Sequence, residues 1–355
     1  MAFAGAVNEV ISDTPLRMGS LFEADRRRLP VAAWPNWLSG VIALLLVAAA
    51  IPVWGQGSRL HEPIQPLHPF LNLDARKVQL GDRLFHDRRF SADNTISCAD
   101  CHQLSSNGAD SRAYSLGVGG AEGSIKAPTV YNSAYNFAQF WDGRAATLEE
   151  QVAGPIHNPL EMDSDWGKVL VKLKQDPQVV SEFNEIYPEG ISPDTISDAI
   201  ATFERSLITT DSPFDRWLQG DDTAITEEEL HGYRLFNSYG CSSCHQGRNV
   251  GGNLYAYMGA MGDYFADRGG DVSKSDLGRF NVTGDSSDRF FFKVPSLRLA
   301  VLQKYYFHDA SETSLKHAIQ TMGHYQLGRD IPAEDAAAIA AFLESLVGNH
   351  PSLQR

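Results

Sequence analysis

Two copies of a Cys-x-x-Cys-His motif constrain this chain more than any other feature of its sequence. They are Cys98-Ala-Asp-Cys101-His102 and Cys241-Ser-Ser-Cys244-His245, and together they use all four cysteines of the 355-residue chain. No cysteine is therefore left for a disulfide framework. Any fold of this chain must therefore place both motifs where their cysteine and histidine side chains can react.

The two halves of the chain also resemble each other just before each motif. Gly81-Asp-Arg-Leu84-Phe85 precedes the first copy, and Gly232-Tyr-Arg-Leu235-Phe236 precedes the second. Such self-similarity indicates an internal duplication in which each half carries one site. We therefore predict two domains, residues 57–220 and residues 221–355, that follow an N-terminal segment of residues 1–56.

The motif itself is typical of covalent c-type haem attachment. Two thioether bonds would fix the edge of the porphyrin, and the adjacent histidine would bind the iron. A thioredoxin-like redox pair does not need that histidine, and a four-cysteine zinc site would require both cysteine pairs to meet. We expect two covalently bound haem c groups, with His102 and His245 as iron ligands.

The N-terminal segment has the pattern of an export signal. Arg26, Arg27 and Arg28 precede a stretch without charged residues that extends from Leu29 to Ser58. A basic region followed by a short apolar core is typical of a secretory signal peptide, although flanking tryptophans also allow an uncleaved membrane anchor. Both interpretations predict that the rest of the chain is periplasmic.

Helix signals dominate the remaining sequence. Ser192-Pro193 is a typical helix start, Thr147 and Thr226 open capping-box patterns, and Pro332 precedes a final apolar helix. Glycine-rich stretches at residues 117–123 and 251–270 predict long loops. The expected fold is mainly α-helical with long loops.

The charge of the chain limits its partners. The formal net charge is -14, which argues against nucleic acid, because nucleic acid favours surfaces rich in lysine and arginine. An acidic surface is compatible with a basic protein partner.

Several stretches closely resemble the bacterial di-haem cytochrome c peroxidase family, which includes the MauG-type enzymes. The matching stretches are residues 140–145 (Phe-Trp-Asp-Gly-Arg-Ala), 148–151, 154–156, 161–162, 292–298, 306–309 and 321–323. The resemblance covers about residues 75–347 in the expected order. It implies two cytochrome c-like haem domains and an enzyme that reduces hydrogen peroxide to water.

The resemblance also implies roles for individual residues. The haem at His102 would be the peroxidatic one, with Glu161 as the distal acid or base and Gln151 supporting the peroxide pocket. The haem at His245 would receive electrons, with Met322 as its second axial ligand. Trp141 would lie between the haems and help electrons cross. The implied donor is a small c-type cytochrome or a copper protein of the cupredoxin class, and the family commonly forms homodimers.

These residue types suit the chemistry of peroxide reduction. Cleavage of the O–O bond requires moving a proton from one oxygen to the other, and a carboxyl group whose pKa is raised by desolvation can do this near neutral pH. Taken alone, Glu161 would be an ordinary solvated surface residue, and spacing alone would favour a core methionine at position 322. The surrounding motifs favour the functional roles.

The sequence departs from the family at two notable positions. Val118 stands where many members carry a histidine that caps the peroxidatic iron. Since valine cannot bind iron, we expect this iron to be five-coordinate or water-bound even when oxidised. His157 is the candidate substitute ligand, but a structural role for this histidine is the favoured interpretation. Lys126 stands where members often have an asparagine that helps bind calcium, and a cation there makes calcium doubtful. His308 is expected to be structural, near the second haem.

A MauG-type oxidase, which modifies residues of a partner protein, is the alternative function. Such enzymes are expected to use tyrosine as the second ligand of the electron-receiving haem. Met322 at this position favours the peroxidase, whereas the nearby Tyr325 and the missing capping histidine keep the alternative open.

Overall fold

The structure of the chain is a computed structural model that describes residues 59–353. The predicted signal peptide or anchor, residues 1–56, lies outside the described residues. Among the helices that are described, none combines the length and the apolar character needed to cross a membrane.

The described chain is mainly helical, as predicted, and short 3-10 turns connect many of its elements. Its helices are α1 (Ala75–Phe85), α2 (Cys98–Cys101), α3 (Leu148–His157), α4 (Trp166–Lys174), α5 (Pro177–Ile186), α6 (Pro193–Ser206), α7 (Pro213–Leu218), α8 (Glu227–Tyr239), α9 (Tyr264–Arg268), α10 (Phe280–Thr283), α11 (Leu315–Thr321) and α12 (Ala333–Ser345).

Two short strands, β1 (Tyr255–Tyr257) and β2 (Phe291–Lys293), form an antiparallel pair in which Ala256 lies opposite Phe292. The prediction of a loop throughout residues 251–270 was therefore wrong in detail. Strand β1 forms there because a partner strand some 35 residues further along the chain satisfies its backbone groups, and the sequence near β1 does not reveal that partner.

The helix starts follow from local hydrogen bonds. The Ser192 hydroxyl accepts a bond from the Thr195 amide at the start of α6, and Thr226 and Glu229 cap each other reciprocally at the start of α8. At α3 the Thr147 hydroxyl accepts from the Glu150 amide, but the Glu150 carboxylate accepts from the Ala146 amide instead of from Thr147. The predicted starts of all three helices are confirmed.

The internal duplication is visible where helices cross. A Cβ atom added to Gly81 in α1 would lie 2.0 Å from the Ala199 carbonyl oxygen in α6, and one added to Gly232 in α8 would lie 1.8 Å from the Ala338 carbonyl oxygen in α12. Each half therefore brings two helices that are distant in sequence, α1 with α6 and α8 with α12, into backbone contact at a glycine. Two hydrophobic clusters form around these crossings, one for each pair.

The two clusters are linked by segments from both halves. Ile64, which precedes α1, packs in the cluster of α8 and α12, whereas Leu299 and Leu353 pack in the cluster of α1 and α6. Residues distant in sequence thus complete each core. The domain boundary at residue 220 stays a prediction.

Alanine at position 81 is expected to destabilise the protein by about 1–3 kcal/mol, because its methyl group would push the two helix backbones apart. Chemical denaturation of the Gly81→Ala variant measures the effect. Gly167→Ala is the matched control, since Gly167 is exposed in α4 and the nearest atom to an added Cβ is a side-chain oxygen at 3.0 Å. Equal stability of the two variants would contradict the tight crossing.

Candidate active site

Each Cys-x-x-Cys-His motif lines its own cavity. Cys98, Cys101 and His102 line the first cavity, and the motif at residues 241–245 lines the second. Because the cysteine pairs line different cavities, they do not form one four-cysteine zinc site.

Both histidines are oriented as metal ligands. The Nδ1 atom of His102 lies 3.1 Å from the Gly108 carbonyl oxygen, and that of His245 lies 3.3 Å from the Val250 carbonyl oxygen. A carbonyl oxygen can only accept, so Nδ1 carries the proton and Nε2 is the nitrogen available to a metal. Burial lowers the pKa of His102 and lowers that of His245 to about 4, which keeps both rings neutral. Neutral imidazole is the form that binds metal ions.

The second cavity is also lined by a methionine, since Met322 lines it together with His245. The methionine that lines the first cavity is Met162, next to Glu161 in the chain. Met322 begins a π-helical turn, Met322–Gln326, that directly continues α11. Such turns are frequent at functional sites because they change which side chains face a neighbour. Tyr325 is not among the residues that line this cavity, and its ring packs edge-on against Tyr264 with 5.5 Å between centroids.

The first cavity contains the carboxyl group that the sequence predicted. Glu161 and Gln151 line it with His102. Burial raises the pKa of Glu161, while a hydrogen bond from Asn158 and the charge of Arg144 oppose this effect. The Asn158 side-chain amide donates to Glu161 Oε1 over 2.6 Å and so orients the carboxyl group. Sequence reasoning missed Asn158, although its position three residues before the glutamate was a usable signal.

The loop that contains Gly117 and Val118 packs against the backbone of Glu161 and also holds this residue in place. The Val118 amide donates to the Glu161 carbonyl over 2.8 Å, and a Cβ on Gly117 would lie 2.4 Å from the same oxygen. His157 is exposed and packs its ring edge-on against Trp166. Neither Val118 nor His157 lines the first cavity, where His102 is the one imidazole among the described lining residues.

One pair of equivalent positions separates a ligand-free wall from one that carries a ligand atom. Helix α3 begins after the N-cap Thr147, and α11 begins after the N-cap Ser314. The eighth residue after each N-cap lines its cavity, and it is Pro155 in the first half and Met322 in the second. Proline offers no side-chain ligand atom, so this position can close only the second centre.

Trp141 lies in the first half of the chain but lines the second cavity. Its indole Nε1 donates to the Lys126 carbonyl over 2.8 Å, and its ring meets those of Phe292 and His308 edge-on. His308 Nε2 donates to the Asp276 carboxylate over 2.8 Å, and its ring stacks on Phe292. The His308 contacts fit the predicted structural role.

Lys126 is buried beside the same cavity. Its ammonium group donates to the Asp110 carbonyl over 2.5 Å, and burial lowers its pKa. A lysine cation in this position disfavours a second cation nearby. That Lys126 disfavours calcium binding at this position stays a prediction.

The donor sets fit one c-type haem in each cavity. Each cavity wall combines two cysteines with a neutral imidazole whose Nε2 is free to bind iron. The second cavity adds the thioether of Met322. The first adds the side chain of Met162 and the carboxyl groups of Glu161 and Glu204, whose pKa values burial raises.

Comparison with known proteins agrees with this geometry. Residues 75–223 match the family described as di-haem cytochrome c peroxidase. The chain is 48% identical to cytochrome c peroxidase Ccp of Escherichia coli over 81% of this chain and 62% of that protein, so it spans less than two thirds of that relative. It is 42% identical to cytochrome c551 peroxidase of Nitrosomonas europaea over 83% of this chain and 86% of that protein.

A solved structure shows the same fold. The crystal structure of a MauG-like protein associated with microbial copper homeostasis is 27% identical and matches with a TM-score of 0.70, over 82% of this chain and 96% of that one.

Proposed function

Since the chain belongs to the di-haem cytochrome c peroxidase family, whose members carry two covalently bound haem c groups, we propose that it reduces hydrogen peroxide to water at the first cavity. Cys98, Cys101 and His102 would hold the peroxidatic haem. Cys241, Cys244 and His245 would hold the electron-receiving haem, with Met322 as its second axial ligand. When bound, the two haems supply redox-active iron and a store for electrons that arrive singly.

The difference between Pro155 and Met322 is the strongest support for peroxide reduction at the first centre and electron transfer at the second. Equivalent positions of the two halves offer no ligand at the first centre and a sulfur ligand at the second. A centre closed by methionine has a raised potential and suits electron transfer, whereas an open centre can admit a substrate. The carboxyl group of Glu161 lines the cavity of the open centre.

In the proposed mechanism, Glu161 takes a proton from one peroxide oxygen and returns it to the other, which assists cleavage of the O–O bond. Asn158 holds the carboxyl group in place, and Gln151 supports the pocket. Trp141, on the wall of the second cavity, helps electrons reach the first. One peroxide molecule, two electrons and two protons yield two water molecules.

We propose a small c-type cytochrome or a cupredoxin as the electron donor, and export to the periplasm through the N-terminal segment as a signal or an anchor. Assembly into a homodimer is carried over from the family.

Peroxide-dependent oxidation of a reduced small c-type cytochrome by the haem-loaded protein tests the activity. A loaded protein that gives no turnover with any such donor would contradict it.

The MauG-type alternative has one specific observation in its favour, the valine at position 118. Against it, Met322 lines the second cavity and Tyr325 packs elsewhere. Peroxidase turnover with a small donor and no modified residue in a partner protein would decide for the peroxidase.

The oxidised protein is expected to turn over without prior reduction, because the first cavity contains no imidazole besides His102 among its described residues. Stopped-flow mixing of the fully oxidised protein with peroxide and reduced donor should show no lag. The same protein reduced beforehand is the control. A lag that prior reduction removes would show that another ligand caps the first iron.

A further inference from the structure

Helices α6 and α12 place equivalent side chains in the two cavities. Gly81 contacts Ala199 and Phe203, and Gly232 contacts Ala338 and Phe342. These contacts align α6 with α12. They make Ile200 equivalent to Ile339, and Glu204 equivalent to Leu343. All four of these residues line the cavity of their own half.

Glu204 is therefore a carboxyl group at a position that the second cavity fills with leucine. Its side chain belongs to a residue that is 5% exposed. Among the described residues its carboxyl group has no hydrogen-bond or ion-pair partner. The adjacent Arg205 is engaged with Glu149 through two hydrogen bonds of 2.7 and 3.1 Å.

A buried carboxylate without a partner is costly, whereas the protonated form costs much less. Burial raises the pKa of Glu204 to about 8, with Arg205 lowering it and Glu149 raising it further. Leucine would fill the same space without any such cost, as Leu343 does in the second cavity. The acid is present only in the cavity that also contains Glu161.

We propose that Glu204 is a proton donor of the first cavity, with a role distinct from the proton transfer by Glu161. This inference rests on the proposed function, in which each turnover consumes two protons and two electrons. Glu161 only moves a proton from one peroxide oxygen to the other, so it adds no proton to the reaction. The O–H bond of Glu204 breaks, its proton passes to a peroxide-derived oxygen that leaves as water, and the carboxylate regains a proton from solvent. The small donor protein supplies the electrons.

Infrared spectroscopy of the haem-loaded protein at neutral pH tests the protonation state independently of activity. The wild type is expected to show the C=O stretching band of a protonated carboxyl group that Glu204→Gln and Glu204→Leu both lack. Glu204→Leu reproduces the residue of the second cavity, so it is expected to fold with a Tm no lower than that of the wild type. A band that persists in both variants would overturn the inference.

Turnover in the same preparations tests the role. The kcat for peroxide is expected to fall about 10-fold or more in both variants. Glu189→Gln, the same chemical change at an exposed site, should leave it unchanged. If the wild type is active and both Glu204 variants have the same kcat as the wild type, the inference is overturned and the proposed function is not. A loaded wild type without turnover would instead overturn the proposed function, and the donor role with it.

Discussion

The Glu161→Gln variant is expected to keep both haems attached and to lose about 10²- to 10⁴-fold in kcat for peroxide reduction, the usual contribution of general acid–base catalysis. Glutamine preserves the size of the side chain and can still accept the hydrogen bond from Asn158, which spans 2.6 Å. It cannot carry a proton from one peroxide oxygen to the other. The loss should therefore appear in kcat more than in the binding of peroxide.

Two comparisons make this result specific. Glu189→Gln removes an exposed carboxyl group of the same half and should retain full turnover. Asn158→Ala should lower kcat by less than Glu161→Gln does, because it loosens the carboxyl group without removing it. Full turnover in Glu161→Gln would remove this residue from the mechanism.

The Arg298→Met variant is expected to lose about 3–5 kcal/mol of unfolding free energy, because it leaves a buried carboxylate without its partner. The Arg298 guanidinium binds both oxygens of Asp215 at 2.8 and 3.0 Å, and both side chains have 0% exposure. Two further N–H groups donate to the carbonyls of Arg248 and Gln65. One side chain thus joins α7, the segment before α1 and the stretch that follows the second motif.

Chemical denaturation of the haem-loaded protein measures this loss. Arg76→Met is the matched control, because Arg76 forms an exposed pair with Asp74, and such pairs contribute about 0–1 kcal/mol. Adding Asp215→Leu to Arg298→Met should recover part of the stability, since it removes the unpaired charge. Equal losses in Arg298→Met and Arg76→Met would contradict the account of the buried pair.

The locally encoded features could be predicted from the sequence. The helix starts at Ser192 and Thr226 depend on side chains within three residues, and the spacing of each Cys-x-x-Cys-His motif is itself the signal. The duplication was visible at Gly81 and Gly232, although the reason for glycine appeared only when the helix crossings placed a carbonyl oxygen beside each Cα.

Features that depend on distant contacts could not be predicted in this way. Trp141 precedes the second motif by 100 residues and yet lines the second cavity. The sequence does not show that Glu204 corresponds to Leu343, or Pro155 to Met322. The difference in residue number between corresponding positions changes from one segment of the two halves to another. Only the positions of the helices show which pairs correspond, and a buried glutamate in a helix otherwise looks like an ordinary charged residue.

The spin states of the two irons in the fully oxidised, haem-loaded protein test the central claim most directly. Electron paramagnetic resonance should show one high-spin iron, at the first cavity, and one low-spin iron with histidine and methionine ligands, at the second. Met322→Leu should change only the low-spin signal. Two low-spin irons in the oxidised wild type would show that side chains close both centres, and would contradict an open site beside Glu161.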